Sequence, residues 1–182
     1  WVSSWAMFLT SPADLGLPAH GYDLPALQVH WHRVEVVDDA PRPNADGTMR
    51  LFADQAIDLT EAAKEKRQSI GPRLNKAVEI VGGQPANTHW LLWHHLEAER
   101  EAIQKTFPTA KSVYGQQAEE VKENLLIDFG AGKYNILATK PEIAGQGCNF
   151  QHHCNHALFL GINYQFNDFI QAIHRIYRYQ QP

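Results

Sequence analysis

Two arginines and a glutamine near the carboxyl end of the chain are spaced so that they could act together. Gln171, Arg175 and Arg178 are separated by four and three residues, and side chains at those spacings are neighbours on a helix. Guanidinium groups fork onto phosphate oxygens, so such a row could stabilise the charge on a transferring γ-phosphoryl group. A solvated basic helix face with surface ion pairs is the alternative, and the spacing leaves both open.

A second polar stretch, residues 138–151, follows directly on an apolar strand pattern. Gly145 and Gly147 would let backbone approach a phosphate or sugar closely, while Thr139 and Lys140 offer a hydroxyl and a cation. The stretch also contains two amide side chains that could form hydrogen bonds, Asn149 and Gln151. Ligands bind in loops that follow parallel strands. A tight turn that needs glycine for its dihedral angles is the alternative.

Two clusters of metal-binding residue types also occur. Cys148, His152, His153, Cys154 and His156 fall within nine positions and suggest zinc. A single continuous segment would have to place its ligands tetrahedrally around the zinc ion while also entering a strand. We therefore predict no metal site. The second cluster could do acid–base work, but we predict a solvated helix start; it comprises His94, His95, Glu97, Glu99 and Glu101.

The elements that must position these residues alternate regularly from residue 71 onward. The hydrophobic pattern predicts helices at Arg73–Val81, Leu96–Phe107, Ala118–Phe129 and Asn167–Tyr179. It predicts strands at Trp90–Trp93, Ser112–Tyr114, Tyr134–Ala138 and Ala157–Leu160. Strands separated by helices of this length require crossover connections, and we therefore expect an α/β fold with a parallel sheet and helices on both faces.

Residues 1–70 are expected to form a separate, irregular, β-containing lead-in. Alternation over residues 27–36 predicts a strand with a bulge near Arg33, and Asp46-Gly47 predicts a turn into a partner strand at 48–52. A polar helix from Glu61 to Ser69 should stop at Gly71-Pro72. Residues 71–182 then form the α/β domain, and both ends of the chain are expected to continue into a longer protein.

Composition limits the function classes. The 182 residues are 44% hydrophobic and carry a formal net charge of -4, so a nucleic-acid contact must be local. No apolar stretch reaches the ~20 residues that a membrane span needs, and we expect no membrane partner. The two cysteines suggest no disulfide framework, which fits a reducing cytoplasm.

The two polar stretches together resemble motifs V and VI of superfamily 2 helicases. The first is Gly145-x-Gly147-x-Asn149-Phe150-Gln151, and the second is Gln171-x-x-x-Arg175-x-x-Arg178-x-Gln180. The chromatin-remodeller-like branch, which includes bacterial and prophage-borne helicases, is the most similar. Upstream, Trp90–Trp93 resembles motif IV and Tyr114-Gly115-Gln116-Gln117 resembles the next block, so roughly the last 110 residues are covered.

The resemblance implies that residues 71–182 are a C-terminal RecA-like lobe and that residues 1–70 are the junction segment from the first lobe. It also implies a role for each site residue. By it, Arg178 is the arginine finger, Arg175 approaches the γ-phosphate and Gln171 couples ATP to DNA. The loop between the lobes is formed by Gly145, Gly147 and Glu142. The same resemblance implies that four residues contact nucleic acid: Thr139, Lys140, Asn149 and Gln116.

Two nucleotide-binding motifs are absent from the sequence. It contains no G-x-x-x-x-G-K-[ST] phosphate loop and no acidic magnesium motif, which in superfamily 2 helicases belong to the first lobe. The expected partners are therefore an N-terminal RecA-like lobe of the same protein and DNA. ATP and Mg²⁺ would be bound mainly by that lobe, and we expect no ATP turnover by this chain alone. A non-catalytic RecA-like module that binds a partner protein or nucleic acid is the alternative.

Overall fold

Four short strands form the centre of the fold. A computed structural model describes residues 11–20, 22, 24–36, 66–144, 147–161, 166–179 and 181. The strands are β1 (Trp90–Trp93), β2 (Lys111–Val113), β3 (Ile136–Thr139) and β4 (His156–Phe159). They lie in the order β2-β3-β1-β4, and each neighbouring pair is parallel. The predicted parallel α/β fold is confirmed.

Helices connect the strands and cover the sheet. They are α1 (Ile70–Gly82), α2 (Glu97–Thr106), α3 (Glu119–Gly130), α4 (Pro141–Ala144) and α5 (Phe166–Ile173). The predicted helices and strands are confirmed to within a few residues, apart from the ends of the first and last helix. The short helix α4 was not predicted. Among the described residues, no helix has the length and apolar character to cross a bilayer.

The central strand explains why the sheet is covered on both faces. All four residues of β1 are buried, and a strand buried on both faces reads as a continuous apolar run. Leu91 and Trp93 pack on one face with residues of α3 and with Phe150 and Ile176. The other face is formed by Trp90 and Leu92 with residues of α1 and α2.

The first helix corrects the predicted boundary at Gly71-Pro72. The helix α1 begins at Ile70 and runs through both residues, while residues 66–68 are already helical. Proline is tolerated there because the backbone N–H groups of the first turn need no partner within the helix. The predicted start at Glu61 lies outside the described residues.

The last helix is shorter than predicted, because it ends at Ile173 and residues 174–179 form consecutive turns. In a continuing helix the carbonyl of Arg175 would accept from Tyr179, but it accepts instead from the N–H of Phe150, at 3.1 Å. The predicted row of Gln171, Arg175 and Arg178 on one helix face is therefore wrong. Ile176 is nevertheless buried in the core as expected.

The lead-in also departs from its predicted structure. Residues 24–36 form no strand, and Leu27, Val29 and Trp31 are exposed. A strand needs a hydrogen-bonded neighbour, and the described residues offer this segment none. The partner strand predicted at 48–52 lies outside the described residues. Residues Pro12–Leu15 form a 3₁₀ helix, which is followed by Gly16 with φ 71°.

Candidate functional site

The loop before β4 and the turns after α5 meet through two arginine side chains. Arg178 Nη1 donates to Asn149 Oδ1 at 2.5 Å. Arg175 Nη1 donates to the carbonyl of Cys148 at 3.1 Å. The structure thus brings the two predicted motifs into direct contact, although their sequence positions are 27 and 29 residues apart. We call residues 147–151 and 174–179 the arginine junction.

Further contacts fix the path of both segments of the arginine junction. The N–H of Phe150 donates to the carbonyl of Arg175, and Gln151 Nε2 donates to the carbonyl of Tyr179 at 3.4 Å. The Tyr179 ring stacks on Tyr22 of the lead-in, with centroids 4.3 Å apart. Each arginine is therefore flanked by contacts that hold its backbone against the loop.

The sequence of the loop explains how it reaches this position. Gly147 has φ 76°, a conformation that non-glycine residues rarely adopt. Phe150 is buried and packs edge-on against Phe129, with centroids 5.1 Å apart. A Cβ on Gly130 would lie 3.3 Å from the Asn149 carbonyl, so the loop passes close to the end of α3. Gly145 lies outside the described residues.

The two guanidinium groups differ in their surroundings. Arg178 is exposed, whereas Arg175 is half-buried and its Nε finds no hydrogen-bond partner among the described residues. Burial and the nearby charge of Arg178 lower the pKa of Arg175, against an opposing effect of Cys148. A guanidinium remains charged at neutral pH in any protein environment. The arginine junction therefore carries two adjacent cations, one of them accessible.

The two cysteines, Cys148 in the arginine junction and Cys154 just after its first segment, are buried to different degrees. Burial raises the pKa of the Cys154 thiol to about 12, and the thiol donates to the carbonyls of His89 and His156. Burial also raises the pKa of Cys148, while Arg175 acts in the opposite direction. Within the part of the chain that the structure describes, no three His, Cys, Asp or Glu side chains gather around a possible metal position.

Thr139 lies inside the sheet and not in a loop. It is the last residue of β3, its side chain is fully buried, and its Oγ1 donates to the carbonyl of Val113 at 3.0 Å. This placement commits the hydroxyl to a neighbouring strand. A direct contact between Thr139 and a phosphate, as the resemblance implies, is incompatible with this arrangement.

Lys140 and Glu142 lie at the carboxyl end of β3, beside the loop that follows β1. The carbonyl of Lys140 accepts from the N–H groups of Ile143 and Ala144, which start α4. Glu142 is exposed, and its Oε1 is 3.8 Å from His95 Nδ1. Burial lowers the pKa of His95, and the Glu142 and Glu99 carboxylates oppose that shift.

The predicted solvated helix start at residues 94–101 is wrong for two of its members. His94 is fully buried, and neither ring nitrogen finds a partner among the described residues. Glu99 is buried as well and pairs with Arg73 at 2.6 Å. His94 directly follows β1 and Glu99 lies in the first turn of α2, so the fold buries two polar residues of this segment. Glu97 and Glu101 are exposed as predicted.

Among the described residues, the side chains of the two remaining predicted site residues, Gln116 and Gln171, form no hydrogen bond with the arginine junction. Gln116 is exposed in the turn after β2, whereas its neighbour Gln117 closes that turn by bonding Tyr114 N and Ser112 O. Gln171 is exposed on α5.

Sequence reasoning missed the backbone groups that hold the arginines. The Cys148 carbonyl and the Phe150 N–H take part through main-chain atoms, which no side-chain pattern can reveal. It also missed Tyr22 and Tyr179, because a stack between residues so distant in sequence leaves no periodic signal. A cleft of about 400 Å³ at the opposite, amino edge of the sheet, lined by Thr88, Trp90 and Lys133 among others, includes none of the predicted site residues.

The sheet order, the parallel pairing and the helices on both faces define the class as a RecA-like α/β fold. A similar solved structure is the crystal structure of the C-terminal part of the Fun30 ATPase domain. It aligns with a TM-score of 0.54 and 14% sequence identity, over 61% of this chain and 38% of that one. At this identity the likeness shows a shared fold.

A second solved structure is the helicase domain of Hef from Pyrococcus furiosus. It aligns with a TM-score of 0.48 and 20% identity, over 65% of this chain and 26% of that one. The chain thus spans well under half the length of both proteins. No protein-family profile and no curated protein sequence matches the chain.

Proposed function

We propose that this chain is the C-terminal RecA-like lobe of an ATP-dependent DNA helicase or translocase of superfamily 2, of the chromatin-remodeller-like branch. In this proposal Arg178 is the arginine finger and residues 71–182 are the lobe. The observation that carries the proposal is the arginine junction, in which the loop resembling motif V holds the segment resembling motif VI. The fold shared with part of the Fun30 ATPase domain supports it.

The chemistry of the arginine junction suits a phosphoryl group that arrives from another lobe. Arg178 is exposed and its guanidinium has further N–H groups besides the one bonded to Asn149. Catalysis of phosphoryl transfer consists mainly of positioning and of stabilising charge on the equatorial oxygens. Arg175, held beside Cys148, would add a second positive charge near the γ-phosphate.

ATP and Mg²⁺ are assigned mainly to the first lobe. The described residues gather no carboxylate set for Mg²⁺, and the sequence carries no phosphate loop. Mg²⁺ bound by the first lobe would neutralise part of the negative charge of the phosphates. The residues of this chain would approach the nucleotide from the opposite side of the cleft, with Gly145, Gly147 and Glu142 near the boundary between lobes.

DNA contact is proposed for the carboxyl end of the sheet. Lys140 follows β3 directly and Gln116 follows β2, and the ends of neighbouring parallel strands lie along one edge. Thr139 is left out, since its buried hydroxyl is bonded to Val113. A cytoplasmic location is part of the same proposal.

DNA-stimulated ATP hydrolysis tests the proposal, measured on the protein that includes the preceding lobe. We expect Arg178→Ala to remove roughly 1,000-fold of the hydrolysis rate, within the range that arginine fingers contribute. Arg100→Ala is the matched control, because Arg100 lies on α2, pairs with Glu97 and stacks on Tyr114. Absence of DNA-stimulated hydrolysis, or equal activity of Arg178→Ala and parent, would favour the non-catalytic module.

A further inference from the structure

We propose that Asn149 is a positioning residue that holds the Arg178 guanidinium ready for the nucleotide, and that it does not contact DNA. The inference deepens the proposed function and rests on it for the role of Arg178. It replaces the nucleic-acid role that the resemblance implies for Asn149. The carrying observation is the hydrogen bond from Arg178 Nη1 to Asn149 Oδ1.

An exposed arginine gains most from such a contact. Arg178 lies in turns beyond the end of α5 and is exposed, so helical packing does not fix its side chain. Ordering a free arginine side chain costs conformational entropy, because the free side chain samples many rotamers. A bond made before the nucleotide arrives removes part of that cost from the catalytic step.

The backbone on both sides of this bond is itself fixed. Next to Asn149, the Cys148 carbonyl accepts from Arg175 and the Phe150 N–H donates to the Arg175 carbonyl. Phe150 is buried in the core. Asn149 Oδ1 therefore lies on a segment whose backbone is bonded to Arg175, in the other segment of the arginine junction. A positioning role requires such a fixed acceptor.

The neutral amide is also the suitable chemical group. An amide oxygen can hold a guanidinium without neutralising its charge, so the full positive charge stays available to a phosphate. A carboxylate at position 149 would hold Arg178 at least as firmly and would compete with the phosphate. Asn149→Ala therefore removes the hydrogen bond that holds Arg178. Asn149→Asp keeps a hydrogen bond but makes the positive charge of Arg178 less available to a phosphate.

The contact is tested first on the 182-residue chain by NMR of its ¹⁵N-labelled guanidinium groups. We expect hindered rotation of the Arg178 guanidinium in the parent and in Asn149→Asp, and free rotation in Asn149→Ala. Asn135→Ala is the control, because it also removes an asparagine hydrogen bond, from Asn135 Nδ2 to the Ala86 carbonyl. Identical Arg178 signals in the parent and in Asn149→Ala would overturn the proposal.

The catalytic role is tested on the protein with its preceding lobe. We expect Asn149→Ala and Asn149→Asp each to lower kcat by on the order of 10- to 100-fold. KM for ATP and the half-saturating DNA concentration should change less than roughly 2-fold, as for an interaction made only in the transition state. Asn149→Ala should cause no further loss when Arg178 is already alanine, and Asn135→Ala should match the parent.

The outcomes separate this proposal from the proposed function. A raised half-saturating DNA concentration in Asn149→Ala, or a loss that adds to that of Arg178→Ala, would assign Asn149 to DNA and overturn the positioning role. A parent protein without DNA-stimulated hydrolysis would overturn the proposed function and with it the catalytic use of Asn149. The NMR measurement would still decide whether Asn149 holds Arg178.

Discussion

Arg73 and Glu99 form an ion pair that is almost removed from solvent, with Nη1 and Oε1 2.6 Å apart. The Arg73 guanidinium also donates to the carbonyls of Lys66 and Leu160. The second oxygen of Glu99 accepts from the N–H groups of His95 and Leu96. The pair therefore joins α1, the start of α2 and the chain just beyond β4.

Removing the carboxylate should destabilise the fold strongly, because it leaves the largely buried Arg73 cation without its anionic partner. We expect Glu99→Ala to lower the free energy of unfolding by about 3–5 kcal/mol, measured by urea denaturation. Glu97→Ala is the control, since Glu97 forms an exposed pair with Arg100 and should cost less than about 1 kcal/mol. Equal costs for the two variants would show that the buried pair contributes nothing special.

His94 should make the fold sensitive to mild acid. Burial lowers the pKa of His94 to about 4, so the folded chain keeps this imidazole neutral at pH values where the unfolded chain, with a pKa near 6.5, takes up a proton. Stability is then lost as the pH falls from about 6.5 towards about 4, by up to roughly 3 kcal/mol. His94→Leu should flatten the unfolding free energy over that range.

The exposed His30 provides the control for this measurement. His30→Leu should keep the acid slope of the parent. If His94→Leu loses stability in acid as steeply as the parent does, His94 is not the group responsible.

Gly161 should be intolerant of a side chain, in contrast to Gly71. A Cβ at position 161 would lie 3.0 Å from Glu99 Oε1 and 3.1 Å from Arg73 Nη1, whereas one on Gly71 would meet nothing within 4 Å. We expect Gly161→Ala to cost about 1–3 kcal/mol of unfolding free energy, since the ion pair must shift. Gly71→Ala, in the first turn of α1, should be neutral or stabilise by up to about 1 kcal/mol. A lower melting temperature for Gly71→Ala than for Gly161→Ala in thermal denaturation would contradict this prediction.

Substitutions of Thr139 and Lys140 should affect DNA affinity differently. Thr139→Val should cost about 1 kcal/mol of stability, because the Val113 carbonyl loses its donor, and should leave DNA affinity unchanged. Lys140→Ala should weaken binding and reduce the salt dependence by about one counterion. Fluorescence anisotropy of labelled DNA at several salt concentrations decides the matter. Equal weakening of DNA binding by both substitutions would show that Thr139 contributes to the DNA-binding surface.

The sheet was predictable because its signals are local. The apolar run Trp90–Trp93 has the length of a buried strand, and both its tryptophans are in the core. Helices between such strands leave few topologies, so parallel pairing followed from the order of elements. The contact between the two motif-like stretches was not predicted, because it joins residues 27 and 29 positions apart.

The errors arose where distant contacts override local patterns. The 3.6-residue periodicity continues past Ile173, but the Phe150 N–H takes the Arg175 carbonyl that a longer helix would need. Alternation at residues 27–36 predicts a strand, yet alternation does not supply a hydrogen-bonded neighbour. His94 and Glu99 both look solvated in sequence, and the pairing that accompanies the burial of Glu99 joins it to Arg73 of α1, 26 positions away.

ATP-driven movement along DNA is the property that most directly tests the central claim. It can be followed, on the protein with its preceding lobe, as release of a third strand from a triplex or of an annealed strand from a duplex. We predict release from at least one substrate with ATP, none with a non-hydrolysable analogue, and none with Arg178→Ala. A protein that binds ATP and DNA but releases neither strand, or an Arg178→Ala variant that moves as well as the parent, would contradict the account.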